Sequence, residues 1–287
     1  MEFSVTEDSC LLEFLLAGLS DLSRNNVKSL LKNGEVLVDG RTVTQYDHPL
    51  GKGQTVKIIR SAARSGRRGE SLKIIYEDSD LIAVNKPAGL LSVGTGKQDD
   101  MTAYRLLTDY VRGHNPKSRV FIVHRLDRDT SGVLLMAKNE RYKLALQDNW
   151  NRLVTRRAYI AIIQGHMTEK SGSIRTWLKE TKTRLVYSSR TPGDGLEAIT
   201  DYLVIKENAD YSMLEINLET GRKNQIRVHM KESGHCVVGD RKYGANADPL
   251  GRLGLHAHLL KLNHPFSGEA MRFEAGIPEC FQALFNR

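Results

Sequence analysis

The stretch from Val120 to Lys138 constrains the fold more than any other part of the chain. Two apolar runs, 120–123 and 133–137, flank a loop carrying His124, Arg125, Asp127, Arg128, Asp129, Thr130 and Ser131. Each run is short, continuous and rich in β-branched residues, which predicts a buried strand on either side. A polar loop held between two buried strands presents its charged groups on a rigid platform. Asp127 is the residue that needs explaining, because it has arginines at 125 and 128 and a second carboxylate at 129. Charge pattern alone would also describe a solvated turn with local ion pairs.

The rest of the chain narrows the choice. At 287 residues it can bury a substantial core as one large domain or two smaller ones. The formal charge of +8 points to an anionic partner, nucleic acid first and a membrane surface second. No run approaches the roughly eighteen apolar residues of a membrane span. The N-terminus Met1 to Asp8 has neither a basic segment nor an apolar one, so no signal peptide is expected and a cytoplasmic location is. Cys10, Cys236 and Cys280 are widely spaced, which argues against a disulfide framework or a zinc site. The nine histidines include no ligand pair with metal spacing, and no glycine-rich phosphate loop occurs, so neither metal nor cofactor is expected.

Residues 1–60 read as a module of their own. Leu11, Leu12, Phe14, Leu15 and Leu16 predict a helix closed near Gly18. Ser23 can cap a second helix running to Lys32, with Gly34 past its end. Val36 to Val38, the Asp39-Gly40 turn and Arg41 to Val43 predict a hairpin, and Val56 to Ile58 a last strand. Arg24, Lys28 and Lys32 recur every four residues and share one helix face. The module holds 7 Lys/Arg against 8 Asp/Glu, so any affinity for an anionic polymer must come from that local face. Residues 61–71, with Arg64, Arg67 and Arg68 among small residues, predict a basic flexible linker.

Beyond the linker, strands are predicted at Leu72 to Tyr76, Leu81 to Val84, Arg156 to Ile163, Tyr202 to Ile205 and Met213 to Leu218. Helices are predicted at 102–112 and 143–153, the latter with Leu144, Leu146 and Trp150 inward. Residues 166–200 show little pattern, and 191–195 read as a loop.

Several of these strings resemble one family. The segment His124 to Gly132 with its following apolar run and Ala137-Lys138, Asn85 to Val93, Arg156 to Tyr159, Gly221 to His229 and Leu255 to Ala257 are together similar, in order, to the RluA-type pseudouridine synthases. The first module resembles the S4 RNA-binding domain. The resemblance implies an α+β fold: a small α/β S4-like domain at 1–60, then a larger mixed, mostly antiparallel β-sheet domain with flanking helices at 72–287. It implies isomerisation of uridine to pseudouridine in structured RNA, without cofactor or metal, by a monomer. Asp127 would be the acting carboxylate and Arg227 its partner. Arg125 would support the gap left by the flipped base. Tyr159 would stack on that base and Leu255 line its pocket. His124 and Gln225, within the matched strings, are further substrate-contact candidates, and Arg24, Lys28 and Lys32 are RNA contacts for the first module.

Lys223 stands where a small hydroxyl residue is usual in the family, and Asn224 where histidine is usual. These departures keep a second class of function open, a noncatalytic RNA-binding or ribosome-assembly protein. A carboxylate-dependent hydrolase would explain the charged loop but neither the basic charge nor the first module. Large-subunit ribosomal RNA is the expected substrate, and transfer RNA the alternative. Whether the carboxylate attacks C1′, adds to the pyrimidine or abstracts a sugar proton stays open.

Overall fold

The computed structural model describes residues 2–19, 24–32, 36–58, 72–94 and 101–286. The chain divides into two compact units, with the break between Ser71 and Leu72. Ser23, Gly34 and the expected linker at 61–71 lie outside the described residues.

The first unit runs β1 (Glu2–Ser4), β2 (Ser9–Cys10), α1 (Leu11–Gly18), α2 (Arg24–Lys32), β3 (Val36–Val38), β4 (Arg41–Thr42), β5 (Pro49–Leu50) and β6 (Thr55–Ile58). Four strands form a sheet in the order β1-β6-β3-β4, and β2 pairs with β5. Leu11, Leu15, Val27 and Leu31 of the two helices bury against Val36, Val38 and Val56 of the sheet. The hairpin turn puts both Asp39 (φ 47°) and Gly40 (φ 81°) in the left-handed region, as a two-residue turn between twisted strands requires. The Asp39 carboxylate accepts hydrogen bonds from Thr55 N and Gln54 Nε2, both at 2.8 Å. These bonds hold its carboxyl below the usual range. Arg24 and Lys28 are exposed on α2, Lys28 lying over the Tyr46 ring at 5.4 Å, and the Lys32 side chain lies outside what is described.

The second unit continues with β7 (Lys73–Glu77), β8 (Leu81–Lys86), α3 (Ala103–His114), β9 (Phe121–Ile122), β10 (Ser131–Ala137), α4 (Glu140–Asp148), α5 (Trp150–Leu153) and β11 (Val154–Gln164). It ends with β12 (Ser171–Glu180), β13 (Val186–Ser189), β14 (Leu196–Glu207), β15 (Tyr211–Leu218), α6 (Gln225–Glu232), β16 (Leu255–Asn263), β17 (Ala270–Glu274) and α7 (Glu279–Ala283). Its strands make one sheet in the order β13-β12-β14-β15-β11-β16-β10-β8-β7, with β17 paired to β16 and β9 to β10. Only β10 and β16 pair in parallel among its described strands, Ser131 opposite His256 and Gly132 opposite Ala257.

Alternation along the central strands explains why helices cover both faces. Leu81, Ala83, Val133 and Leu135 pack with Leu146 of α4 and Leu153 of α5. The intervening Ile82, Val84, Leu134 and Met136 pack with Leu107 and Val111 of α3. Ala161 and Ile163 of β11 pack with Ile226 and Met230 of α6. Tyr159 touches both the α3-side and α6-side cores, so it stands where they meet.

Three expectations need correction. The run 120–123 forms only a two-residue strand, β9, and its residues 121 and 122 are half-buried because they pair at one edge of β10. The helix expected at 143–153 is two helices meeting at Asn149, and Leu144 is exposed. The patternless 166–200 holds β12, β13 and the start of β14. Pairing builds these strands while few of their side chains are buried, which leaves no strong alternation to read.

The parallel seam depends on Gly132. Its φ is 113°, and any side chain there would place Cβ 2.1 Å from the Ala257 carbonyl oxygen. Gly132→Ala is therefore expected to cost about 2–3 kcal/mol. A urea unfolding midpoint equal to that of the wild type would show that the seam does not need glycine.

Candidate active site

The seam carries a cleft of about 290 Å³ whose walls include Arg125, Asp127, Tyr159, Arg227 and Leu255. Segments far apart in sequence meet there, Leu255 coming from the start of β16. The loop after β9 brings Arg125 and Asp127, the middle of β11 brings Tyr159, and the turn into α6 brings Asn224 to Arg227.

Arg227 organises the polar side. Its Nε and Nη2 donate to the two oxygens of Asp240, both at 2.7 Å, and its Nη1 donates to Asn224 Oδ1 at 3.0 Å. Nη1 also lies 3.7 Å from Asp127 Oδ2. That is too long for a hydrogen bond, so Arg227 holds Asp127 through charge. Burial opposes the Arg227 charge, but the hydrogen bonds and charge of Asp240 outweigh it and keep the guanidinium above its ordinary range. The Arg227 side chain is 10% exposed and that of Asp240 1%, while Asp127 is 38% exposed. The buried pair is thus the fixed frame, and Asp127 is the reachable group. Arg125 is exposed at the rim and has no hydrogen bond or ion pair among the described residues.

Asn224 occupies the left-handed region (φ 55°), a conformation asparagine tolerates better than most residues. Its amide bridges Arg227 and the Tyr243 hydroxyl, to which Nδ2 donates at 3.1 Å. Lys223 also lines the cleft, with its ammonium paired to Glu180. Gln225, expected as a substrate contact, lines the cleft with its side-chain amide already engaged. Its Oε1 accepts from Thr220 Oγ1 and Arg222 N, and its Nε2 donates to Ile199 O and Thr200 Oγ1. An amide has two donor and two acceptor positions, so Gln225 has none left and serves to brace the turn into α6. His124 lines the cleft, but its Nε2 accepts the Leu135 N–H at 3.0 Å and its ring stacks on Trp150. That hydrogen bond ties the loop to β10. Arg24, Lys28 and Lys32 belong to the other unit.

Comparison with known proteins gives the family. The family model described as RNA pseudouridylate synthase matches residues 80–232. A Bacillus subtilis protein named uncharacterized RNA pseudouridine synthase YlyB is 36% identical over 96% of this chain and 92% of its own. The chain belongs to the RNA pseudouridine synthases. They are isomerases that act on RNA. An Escherichia coli protein named ribosomal large subunit pseudouridine synthase D is 33% identical over 90% of this synthase and 84% of its own length. The solved human RNA pseudouridylate synthase domain containing 1 superposes with a TM-score of 0.60 at 26% identity, over 74% of this synthase and 88% of that chain.

Beneath the cleft of the synthase, buried polar groups fix the Asp127 loop. Lys86, fully buried, donates to the carbonyls of Pro87 (2.9 Å), Leu90 (2.7 Å) and Arg128 (3.0 Å). Ser131 Oγ accepts from Arg252 Nη2 at 2.6 Å and lies 2.7 Å from His256 Nδ1. None of Lys86, Asp240, Tyr243, Ser131 or Arg252 stands out as a site residue in the sequence. A signal did exist for Asp240, because an arginine expected to be buried needs a buried counter-charge.

Burial lowers His124, His229 and His256 to about 4, so none of the three carries charge at neutral pH. Burial also lowers Lys86, to about 8. Below that pH the ammonium has three donors for three carbonyls; above it the amine has two, and one carbonyl of the loop support goes unpaired. Activity is expected to fall as pH rises through about 8, which a single-turnover pH–rate profile would check. A rate that stays flat to pH 9.5 would remove Lys86 from the control of the loop.

Proposed function

We propose that this synthase converts uridine to pseudouridine in large-subunit ribosomal RNA, with Asp127 as the acting carboxylate. The observation that carries the reading is the Asp127–Arg227 pair, set in a cleft whose walls also include Tyr159 and Leu255. The reaction breaks C1′–N1 and forms C1′–C5, loses a proton from C5 and gains one at N1. It needs no oxidant, and it needs the base out of its stack. Arg125, unpaired and exposed, is suited to support the strand left behind. Tyr159 supplies a flat wall for the flipped base, and Leu255 an apolar one. Burial raises the Tyr159 hydroxyl above its ordinary range, with Arg157 opposing, so it works as a neutral phenol.

The choice of ribosomal RNA rests on the name of the Escherichia coli relative and on the first unit. Two helices followed by a short hairpin, with Arg24 and Lys28 exposed on one face, fit an S4-like RNA contact. A cytoplasmic location follows from a ribosomal substrate. Among the described residues no helix is long and apolar enough to cross a membrane.

The test compares pseudouridine maps of ribosomal and transfer RNA from parent cells, cells lacking the gene and cells complemented with it. A position in large-subunit ribosomal RNA should disappear and return. Loss confined to transfer RNA would replace the substrate, and no lost position in any RNA would favour the noncatalytic binder.

A further inference from the structure

Next to the catalytic cleft lies a second hollow of about 330 Å³. The two share Trp150, Arg157 and Leu218 as common wall. The second also contains Asn151, Thr155 and Arg156, none of which the reaction above uses.

Arg156 and Arg157 are neighbours on β11 with opposite situations. Arg156 has a carboxylate partner, its Nη2 on Glu215 Oε1 at 2.6 Å and its Nε on Asn217 Oδ1 at 2.9 Å. Arg157 is half-buried, and its single hydrogen bond among the described residues runs from Nη2 to the Glu219 carbonyl at 2.7 Å. No carboxylate lies within ion-pair distance of it among the described residues. Its charge is disfavoured first by burial and further by Arg222. A guanidinium withdrawn from water without an anion retains forked donors that match a phosphate. Gly221 keeps it there, since a Cβ at 221 would fall 2.4 Å from Arg157 Nη1.

Trp150 is the second element. Its indole is half-buried, stacks on His124 with ring centres 5.0 Å apart and a tilt of 31°, and lines both hollows. An aromatic face beside an unpaired arginine is how single-stranded nucleic acid is held, by base stacking and a backbone contact.

We infer that the second hollow holds the nucleotide adjacent to the target uridine, its base against Trp150 and the phosphate joining the two nucleotides on Arg157. This rests on the proposed reaction and adds a reason for the cleft to prefer a distorted, locally unpaired strand. In a duplex the neighbour would remain stacked on its own helix. Occupying both hollows requires two successive bases to leave it.

The chain has two tryptophans, so Trp177→Phe leaves Trp150 as the sole indole reporter. The probe is total RNA from cells lacking the gene, added to the full-length protein carrying Trp177→Phe and Asp127→Asn to prevent turnover. RNA should quench the remaining indole fluorescence. In the active background, Arg157→Gln should raise the RNA concentration for half-maximal pseudouridine formation roughly tenfold, a larger factor than any fall in the saturated rate. Arg157→Lys, which keeps charge but not the fork, should fall between, and it covers the case in which the glutamine variant does not fold. Unquenched fluorescence together with an unchanged half-maximal concentration, while pseudouridine still forms, would overturn this inference and leave the reaction standing. Absence of pseudouridine with wild-type protein would instead overturn the reaction.

Discussion

Asp127→Asn is expected to lower pseudouridine formation by about 10⁴-fold or more while leaving the folded protein and its RNA affinity almost intact. The two halves of that expectation come from one geometry. Asp127 is 38% exposed, and its only ion pair in the site is the 3.7 Å approach of Arg227. Removing so loose a partner from a partly solvated position costs under about 1 kcal/mol of stability. The chemistry has no comparable substitute. Asp129 is near in sequence but is paired with Arg128 at 3.1 Å, and it does not line the cleft. Asp240 is buried and held on both oxygens by Arg227. Single-turnover rates on total RNA from cells lacking the gene, alongside thermal unfolding, check both halves. A variant retaining more than a tenth of the rate would remove Asp127 from the role of acting carboxylate. A rate that fell only in step with the melting temperature would make it a structural residue.

Asp240→Asn should produce the opposite balance, a loss of stability with a secondary loss of rate. Asparagine keeps the shape but removes the charge beneath an arginine that is only 10% exposed. Breaking one partner of a buried pair costs about 3–5 kcal/mol, because the other charge is left without compensation. For a unit of this size that is on the order of 10 °C in melting temperature. Arg227 would then keep at most one of the two bonds that aim its Nη1 at Asp127, since the amide nitrogen cannot accept, and a displacement of about 1 Å in such a site costs roughly a hundredfold in rate. Asp248→Asn is the comparison. Its partner Arg241 is 87% exposed at 3.5 Å, so both stability and rate should barely change. If the two variants melted together, the buried pair would not be the frame of the site.

The contrast between these two aspartates shows what could be read from residues alone. Asp127 is legible through the string His124 to Gly132, which is similar to a known family, since its charge pattern alone also describes a solvated turn. Tyr159 and Arg227 are legible as parts of strings similar to a known family. Asp240 lies beside Gly239 and Arg241, where it reads as one more turn residue, and only the folded chain brings it 13 positions back to Arg227. Lys86 ends an apolar run, where lysine normally reaches water. Its burial depends on carbonyls supplied by Pro87, Leu90 and Arg128, and the last of these is 42 residues away. Gln225 carries the opposite lesson: its place in a matched string suggests contact with substrate, yet its amide bonds are spent on its own turn and on Ile199 and Thr200 of β14. The helices and hairpin of the first unit followed from periodicity and the Asp-Gly turn. β12 and β13 did not, because an outer strand with much of its side chain surface in water has no need to alternate.

The parallel seam between β10 and β16 has a consequence for when activity can first exist. Ser131 pairs with His256 and Gly132 with Ala257, across 125 residues of intervening chain. In the finished sheet β16 lies between β10 and β11, strands that are synthesised long before it. A nascent chain that has not yet emitted Leu255 can pair β8 with β10 and β11 with β15, but the two sets have no strand to join them. Asp127 belongs to the first set and Tyr159 to the second. The loop closure that brings them together is among the longest in the chain, and its entropy must be met before the contacts it creates can repay it. The site is therefore expected to form late in folding, once that strand arrives, and fragments ending before residue 255 should lack the cleft.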